Sequence, residues 1–437
     1  MIINKYKILY LLLAVICFFP ACEIDEDEFQ NLNNPTIETV IEGATIADLN
    51  LLAKGLESIM RSDMEFYYWT VSILGREYYD MRGTDPRYTG ELLGAEGAVL
   101  DNNGFLTTRP FSAPYRVIRN ANTLITAVEN STANLSVEGE NAFFGFANMI
   151  KGYATLLTLN HQFENGCRLD VADPDNPGPF VSYAEGLAGV RTLFDTAYGQ
   201  LTSASDDFSF PTNMGFDTPV EMAKVCAALD ARAALYQGRG GDANASLANS
   251  FMDINGTMDL GAYHVFSLAG GDFSNPLFYV EGTDLYVATP DWINNIETDD
   301  DRAWSKVFEL DAPAGIDDLS GTHQVQIYET NSSPVGIIRN EELLLIHAEA
   351  NLDGAANTTA IADINAVRAA AGLGDYSGAS TDAALMDEIL QQRRYGLFGE
   401  GHRWIDLRRL DRLNEIVLDR ATDVVHTQFP RPVSEGG

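Results

Sequence analysis

The stretch ILQQRRYGLFGEGHRWIDLRRL runs from Ile389 to Leu410 and is the most informative part of the sequence. Apolar residues recur at helical spacing on both sides of a glycine-rich break, which predicts a helix, a turn and a second helix. Residues at i,i+3 and i,i+4 are neighbours on a helix surface, so charges at that spacing pair. We therefore interpret the charged side chains of the second part as structural rather than catalytic or anion-binding: Glu400, Arg403, Asp406, Arg408 and Arg409.

Most other long segments also repeat apolar residues at three-and-four spacing, which predicts a mostly α-helical protein. Between Met252 and Glu329 the period weakens into Gly, Asn, Asp and aromatic residues, which indicates loops with short strands. Thr381 is the predicted N-cap of the last long helix. The predicted helices are Ala44 to Met60, Ser112 to Glu129, Val137 to His161, Tyr183 to Leu201, Pro219 to Gln237, Arg339 to Leu352, Thr358 to Ala370 and Asp382 to Leu397.

Two stretches of the sequence resemble each other, Ala231 to Asn249 and Ala348 to Val367. Each ends one helix with small residues and leucine, turns at glycine and opens a second helix rich in alanine. A short turn makes two helices antiparallel, and small residues allow them to approach closely. This is the unit of a tetratricopeptide-like helical repeat, in which stacked units bury faces that a single unit leaves exposed.

Four elements in fixed order resemble the SusD/RagB family of surface nutrient-capture lipoproteins: IIRNEELLLIHAEANLDG from Ile337, INAVRAAAGL from Ile364, the stretch from Ile389, and FPRPVSEGG from Phe429. The resemblance implies one SusD-like helical domain over residues 35–437, with a loop-rich insertion at about 252–330. It implies non-catalytic capture of a glycan or a similar oligomeric nutrient. It also implies delivery to a SusC-like TonB-dependent outer-membrane barrel beneath the protein.

The N-terminus has the order of an export signal, with Lys5 and Lys7 before an apolar core from Ile8 to Phe19. That core is shorter than the roughly 20 residues that span a bilayer. Residues 1–21 are the predicted signal peptide, and Cys22 is the predicted site of acylation, which anchors a chain without a transmembrane helix. Cleavage to a free periplasmic protein is the alternative.

An acidic segment follows the cysteine and includes Glu23, Asp25, Glu26, Asp27 and Glu28. Anionic headgroups repel carboxylates, so this segment does not favour contact with the membrane surface. It resembles the acidic export signal of Bacteroidetes lipoproteins displayed on the outer face of the outer membrane. A solvated linker without that role is the alternative. In both interpretations residues 22–34 form a tether whose charge resists packing.

The charge balance excludes one class of partner. With 28 basic and 63 acidic residues the formal net charge is −35, and nucleic acid binding needs clustered Lys and Arg. Cys226 shares helical spacing with Leu229, Ala233 and Tyr236, so it is expected to be a buried thiol rather than part of a disulfide. His347 is expected to be a packed or surface residue rather than a metal ligand. Asp299 to Asp301 are interpreted as solvent-facing, with calcium binding as the alternative.

No catalytic, metal or nucleotide motif occurs: the chain lacks H-E-x-x-H, C-x-x-C, a Walker loop and G-x-S-x-G. We therefore predict no cofactor, no metal site and no enzyme activity. A surface glycosidase using two carboxylates is one open alternative. A purely structural surface protein and a peptide-capturing lipoprotein are two others.

Aromatic residues carry the binding hypothesis because sugar rings stack their C–H faces on flat side chains while polar groups pair with the hydroxyls. Two regions are enriched in aromatics, Glu65 to Tyr88 and Tyr279 to Asn295. The predicted glycan-contacting residues are Tyr68, Trp69, Tyr88 and Trp292.

Overall fold

The computed structural model describes residues 41–173, 175–354 and 356–437. The predicted signal peptide, Cys22 and the acidic tether lie outside these residues. Within the described ranges, no helix is both long enough and apolar enough to cross a membrane.

The N-terminal half of the described chain consists mainly of helices, and the four long helices between residues 105 and 236 pack against one another in sequence order. Capping boxes begin α1, α5 and α6 at Thr45, Ser182 and Thr218, and each cap contributes about 1 kcal/mol. The helices are α1 (Ile46–Ile59), α2 (Met64–Leu74), α3 (Phe105–Glu129), α4 (Val137–Gln162), α5 (Tyr183–Thr202), α6 (Pro219–Tyr236) and α7 (Gly240–Leu247).

Two of these helices differ from the sequence-based expectation. Helix α3 begins at Phe105 rather than at the predicted Ser112, and it accommodates Pro110 and Pro114 in its interior. Helix α2 was not predicted, since nine of its eleven residues are buried. A helix that is apolar on nearly every side has no amphipathic period to detect.

The C-terminal helices continue the same architecture. They are α10 (Asn340–Ala350), α11 (Thr358–Ala370), α12 (Asp382–Gly396) and α13 (Arg403–Arg409), and Thr381 caps α12 as predicted by accepting the Ala384 N–H. The pairs α6–α7 and α10–α11 contain the two similar stretches, and α10 packs against both α6 and α7. The predicted mostly helical scaffold of stacked helix pairs is therefore confirmed.

The region between residues 252 and 330 contains the predicted loops and strands, although one hairpin is longer than expected. Four antiparallel strands form a sheet in the order β1–β5–β7–β6, and a separate pair joins β4 to β8, which leads into α10. The strands of the whole described chain, with the two short helices among them, are β1 (Tyr78–Asp80), β2 (Cys167–Arg168), β3 (Phe180–Val181), β4 (Gly261–His264), β5 (Tyr286–Ala288), α8 (Pro290–Asn294), α9 (Asp301–Trp304), β6 (Val307–Ile316), β7 (Leu319–Val325) and β8 (Val335–Arg339).

Buried ion pairs hold the stretch from Ile389 to Leu410 together and connect it with distant elements. Asp406 accepts from Arg393 at 2.7 Å, and Arg409 donates to Glu349 at 2.5 Å. Arg339 donates to Glu400 at 2.5 Å. Only the pair of Arg409 with Asp406 has the expected i,i+3 spacing. The structural interpretation of these charges holds, but they mostly join separate elements.

A further buried pair links α6 to α10. Arg232 donates from Nε and Nη2 to the two carboxylate oxygens of Glu342 at 2.7 and 2.6 Å, and both side chains are almost fully buried. Burial by itself raises the pKa of Glu342, but the surrounding positive groups, Arg232 above all, together outweigh it and lower that pKa to about 2. Glu342 is therefore ionised throughout the physiological range.

The last residues of the chain run back across the N-terminal helices with little regular structure. The Tyr79 hydroxyl donates to Asp419 at 2.5 Å, and Arg420 donates to the Thr89 carbonyl at 2.6 Å. Phe429 is fully buried and stacks on His161, with ring centroids 3.6 Å apart. Residues from 419 onward thus complete the packing of elements that precede them by several hundred positions.

Cys226, His347 and the aspartate triplet at 299–301 were also the subject of predictions. Cys226 is free and buried, as predicted, and Cys167 is free and buried as well. His347 pairs with Asp363 at 2.6 Å, as befits a packed residue. Asp299 and Asp301 are exposed, as expected, but Asp300 is buried, accepts the Ala303 N–H at 2.8 Å and pairs with Arg302, which corrects the solvent-facing interpretation for that residue.

Candidate functional site

Four aromatic rings form a closed arrangement where α2, the loop after β1 and the start of α3 meet. Phe66 and Trp69 lie one turn apart on α2 with centroids 5.3 Å apart, because residues i and i+3 share a helix face. Trp69 lies 6.4 Å from Tyr88, Tyr88 lies 6.0 Å from Phe105, and Phe105 lies 5.8 Å from Phe66. All four contacts are edge-to-face, a favoured geometry for aromatic pairs. We call these residues the aromatic quartet.

The two aromatic-rich regions of the sequence meet beneath this quartet. Strand β1 pairs with β5, with Asp80 opposite Tyr286. The Trp69 ring stacks on Tyr286 at 5.6 Å, and its indole N–H donates to the Tyr279 hydroxyl at 3.0 Å. Tyr279 and Tyr286 are buried and stack on each other at 4.1 Å, so they form a rigid support for Trp69, which is partly exposed.

Guanidinium groups lie over the rings of this site. The Arg82 group is 4.3 Å from the centroid of Tyr286 and 5.5 Å from that of Trp69. Arg87 lies 4.3 Å from Phe105, and Arg109 lies 4.7 Å from Phe66. Such cation–π contacts contribute about 0.5–2 kcal/mol each, depending on solvent exposure. The site therefore combines ring surfaces with hydrogen-bond donors, as a sugar requires.

Neighbouring carboxylates orient the guanidinium groups. Arg82 donates from Nε and Nη2 to Asp80 at 3.0 and 2.7 Å. Arg87 binds Asp85 in the same two-bond manner, at 2.9 and 2.7 Å. Two parallel bonds fix the plane of a guanidinium group as well as its position. The donors of Arg82 and Arg87 are consequently preorganised around the quartet.

The structure brings together two of the four predicted glycan-contacting residues, Trp69 and Tyr88. Tyr88 is 6% exposed and meets Trp69 edge-on. Burial raises the pKa of Tyr88 to about 12, so its hydroxyl stays protonated at neutral pH.

The other two predicted residues do not join this site, and their burial corrects the expectation that they contact ligand. Tyr68 is 3% exposed, because consecutive residues on a helix point in different directions and α2 is buried on most sides. Trp292 is fully buried in a seam against Phe398 and Tyr395, with centroids 4.1 and 5.0 Å away. Sequence reasoning missed Phe66, Phe105 and the three arginines; the i,i+3 spacing of Phe66 and Trp69 was the only local signal.

A cavity of about 720 Å³ lies between the insertion and the C-terminal helices. Its walls include Arg339, Glu341 and Glu400, which are joined by ion pairs. Burial by itself raises the pKa of Glu341, but Arg339 and Arg302 outweigh it and lower that pKa to about 2. In the described part of the chain, no group of three or more His, Cys, Asp or Glu residues is arranged to hold a metal ion.

Comparison with known proteins supports the resemblance seen in the sequence. Residues 314–431 match the model of the SusD family. A search of curated proteins found no match. The resemblance to the SusD/RagB family is confirmed by this match together with the fold.

Solved structures share that fold at low sequence identity. A SusD superfamily protein from Bacteroides vulgatus ATCC 8482 is 20% identical, with a TM-score of 0.67 over 89% of this chain and 96% of that one. A laminarin-binding SusD-like protein is 17% identical, with a TM-score of 0.61 over 88% and 96%. Surface glycan-binding protein A from Bacteroides thetaiotaomicron is 13% identical, with a TM-score of 0.62 over 90% and 96%.

Proposed function

Because residues 314–431 match the SusD family and the chain has the fold of SusD superfamily proteins, we propose that it captures a glycan without cleaving it. The observation that carries this proposal is the aromatic quartet, in which Trp69 is partly exposed and lies near Arg82, while Arg87 and Arg109 lie over other rings of the same quartet. Two neighbours by fold are described as laminarin-binding and as surface glycan-binding, which supports the same ligand class.

Capture follows from the geometry of a sugar. The C–H face of a pyranose ring stacks on the exposed part of Trp69, whose orientation is set by Tyr279 and Tyr286. Hydroxyl groups accept hydrogen bonds from the guanidinium groups around the quartet. Few buried groups need to move, so binding costs little reorganisation.

The carboxylates of the 720 Å³ cavity disfavour the alternative of a surface glycosidase. A general acid in glycoside hydrolysis needs a raised pKa, whereas that of Glu341 is lowered to about 2. Glu400 is bound to Arg339 as well. A glycan array followed by calorimetry tests capture, and a parallel assay for new reducing ends tests hydrolysis. Steady release of product would replace our proposal with the enzyme.

Replacing Trp69 with alanine is expected to weaken glycan binding by about ten- to one hundredfold, or 1–3 kcal/mol by analogy with stacking of bases on aromatic side chains. The change removes the stacking surface but leaves the buried Tyr279 and Tyr286 in place. Isothermal titration calorimetry with the best glycan of the array measures the effect. Trp304→Ala is the matched control, since Trp304 is 39% exposed and lies on α9 away from the quartet. Equal glycan affinity of Trp69→Ala and wild type would show that the quartet is not the binding site.

Anchoring through Cys22 and display at the cell surface are the second part of the proposal. They are supported by the sequence of the apolar segment, Ala21–Cys22 and the acidic residues that follow. We expect Cys22→Ser to abolish labelling by a palmitate analogue, whereas Cys17→Ser, within the signal, should leave labelling intact. Neutralising Asp25 to Glu28 is expected to preserve labelling and to reduce access of external protease; unchanged access would reduce this segment to a linker.

Delivery to a SusC-like TonB-dependent barrel is the third part, and the family resemblance supports it. The protein would act as a lid over the barrel, with the tether as hinge, and closure is favoured only if ligand contacts differ between the two states. Extraction in mild detergent through a tag after Gly437 should co-purify a large outer-membrane barrel with the wild-type chain. Recovery of this chain alone under cross-linking would leave a free-standing surface binder.

A further inference from the structure

Four arginines lie around the aromatic quartet, in a chain whose net charge is −35, and each is more exposed than the carboxylate with which it pairs. The side chain of Arg82 is 22% exposed and that of its partner Asp80 is 1% exposed. For Arg87 and Asp85 the values are 39% and 23%. In each pair the carboxylate is the inner member and the guanidinium group the outer one.

The second pair of arginines has too few acceptors. Arg109 and Arg116 share the single carboxylate of Asp63, at 3.5 and 2.5 Å, and their side chains are 52% and 40% exposed against 26% for Asp63. Arg109 therefore has one long ion pair while its guanidinium group lies over Phe66. It is the most exposed and the least tightly paired of the four.

Free hydrogen-bond donors follow from the same geometry. Arg82 and Arg87 engage their carboxylates through Nε and Nη2, and the described part of the structure shows no acceptor on Nη1 of either residue. A guanidinium group is a donor only, so neighbouring guanidinium groups cannot satisfy one another. Water satisfies these exposed donors in the free protein, so a bound molecule that displaces the water must supply acceptors of its own.

We infer that the aromatic quartet selects an acidic glycan, one that carries carboxylate or sulfate groups; this inference rests on the proposed capture of glycans at that site. Neutral hydroxyl groups both donate and accept, whereas carboxylate and sulfate oxygens only accept and match the planar fork of arginine. A carboxylate or sulfate group also adds the attraction between opposite charges, which a neutral hydroxyl group lacks. The ring surfaces bind the sugar, and the arginines select its acidic substituents.

A glycan array with matched acidic and neutral probes tests this selectivity. Suitable pairs are oligogalacturonate with its carboxyl-reduced form, oligomannuronate with its carboxyl-reduced form, and chondroitin sulfate with desulfated chondroitin. We expect the acidic member of at least one pair to bind at least tenfold more tightly than its partner. The uronate pairs and the sulfate pair distinguish the two kinds of acid. Raising NaCl from 50 to 500 mM should weaken binding of the acidic member several-fold and leave the neutral member nearly unchanged.

The variant Arg109→Gln tests whether the arginines around the quartet cause the selectivity for acidic over neutral glycans. We expect it to weaken binding of the acidic probe about tenfold and to change binding of neutral probes by less than twofold. Arg119→Gln, at another exposed position of α3, is the matched control and should not alter either. Equal binding of both members of every pair, or full selectivity in Arg109→Gln, would overturn this inference and leave glycan capture standing. Binding of no glycan at all would overturn the proposed function itself.

Discussion

Replacing Glu342 with alanine is expected to lower the free energy of unfolding by about 3–5 kcal/mol. The substitution leaves the guanidinium group of Arg232 buried between α6 and α10 with only the Ile337 carbonyl as an acceptor. A buried charge without its partner retains the full cost of leaving water. Urea denaturation followed by circular dichroism measures the change.

A control and a double variant make this experiment specific. Asp387→Ala breaks the pair with Arg412, in which Asp387 is 64% exposed, and should cost less than about 0.5 kcal/mol. Arg232→Met combined with Glu342→Leu removes both charges and should recover much of the loss. A loss below about 1 kcal/mol in Glu342→Ala would show that Arg232 is stabilised by other groups.

The second large effect is a pH dependence that originates at Glu77. This side chain is 1% exposed, and one of its oxygens accepts the Gly399 N–H at 3.3 Å. Burial raises its pKa to about 7, and the charges of Arg403 and Arg394 only partly oppose that shift. Between pH 4.5 and 7 the folded state therefore holds a proton that the unfolded state has released. Stability contributed by this proton is complete below about pH 4.5 and is lost as the pH rises through 7.

We expect Glu77→Gln to remove that dependence, because the amide is neutral at every pH. The difference in unfolding free energy between variant and wild type should grow by roughly 3 kcal/mol from pH 4.5 to pH 7.5. Urea denaturation at intervals of half a pH unit measures it. Glu96→Gln, at an exposed position, is the control and should run parallel to the wild type. A parallel profile for Glu77→Gln would show that Glu77 is ionised in the folded state.

Helices that bury one face were predictable, and the helix that carries the site was not. Thr358–Ala370 has the bounds that its apolar period predicts. Helix α2 is buried on nearly all sides, so its sequence lacks the contrast between faces on which such predictions depend. Pro110 lies in the first two turns of α3, between the true start at Phe105 and the predicted start at Ser112, and a proline inside a helical pattern usually marks its boundary.

The candidate site could be predicted in composition but not in arrangement. Both aromatic-rich regions were identified, yet their meeting depends on the pairing of β1 with β5, which are more than 200 residues apart. Neither strand exceeds three residues, so periodicity gives no sign of the pairing. Trp69 is partly exposed whereas Trp292 is fully buried, and nothing in the local sequence distinguishes the two tryptophans.

The return of the chain end across the N-terminal helices determines when this protein can finish folding. The contacts of Asp419 with Tyr79 and of Arg420 with Thr89 close loops of 340 and 331 residues. Contacts of such sequence separation form late, because the entropy of loop closure must be overcome first. The N-terminal helices therefore lack part of their packing until residues 419–429 have been translated. Until Phe429 covers His161, a partly folded chain exposes apolar surface that favours aggregation.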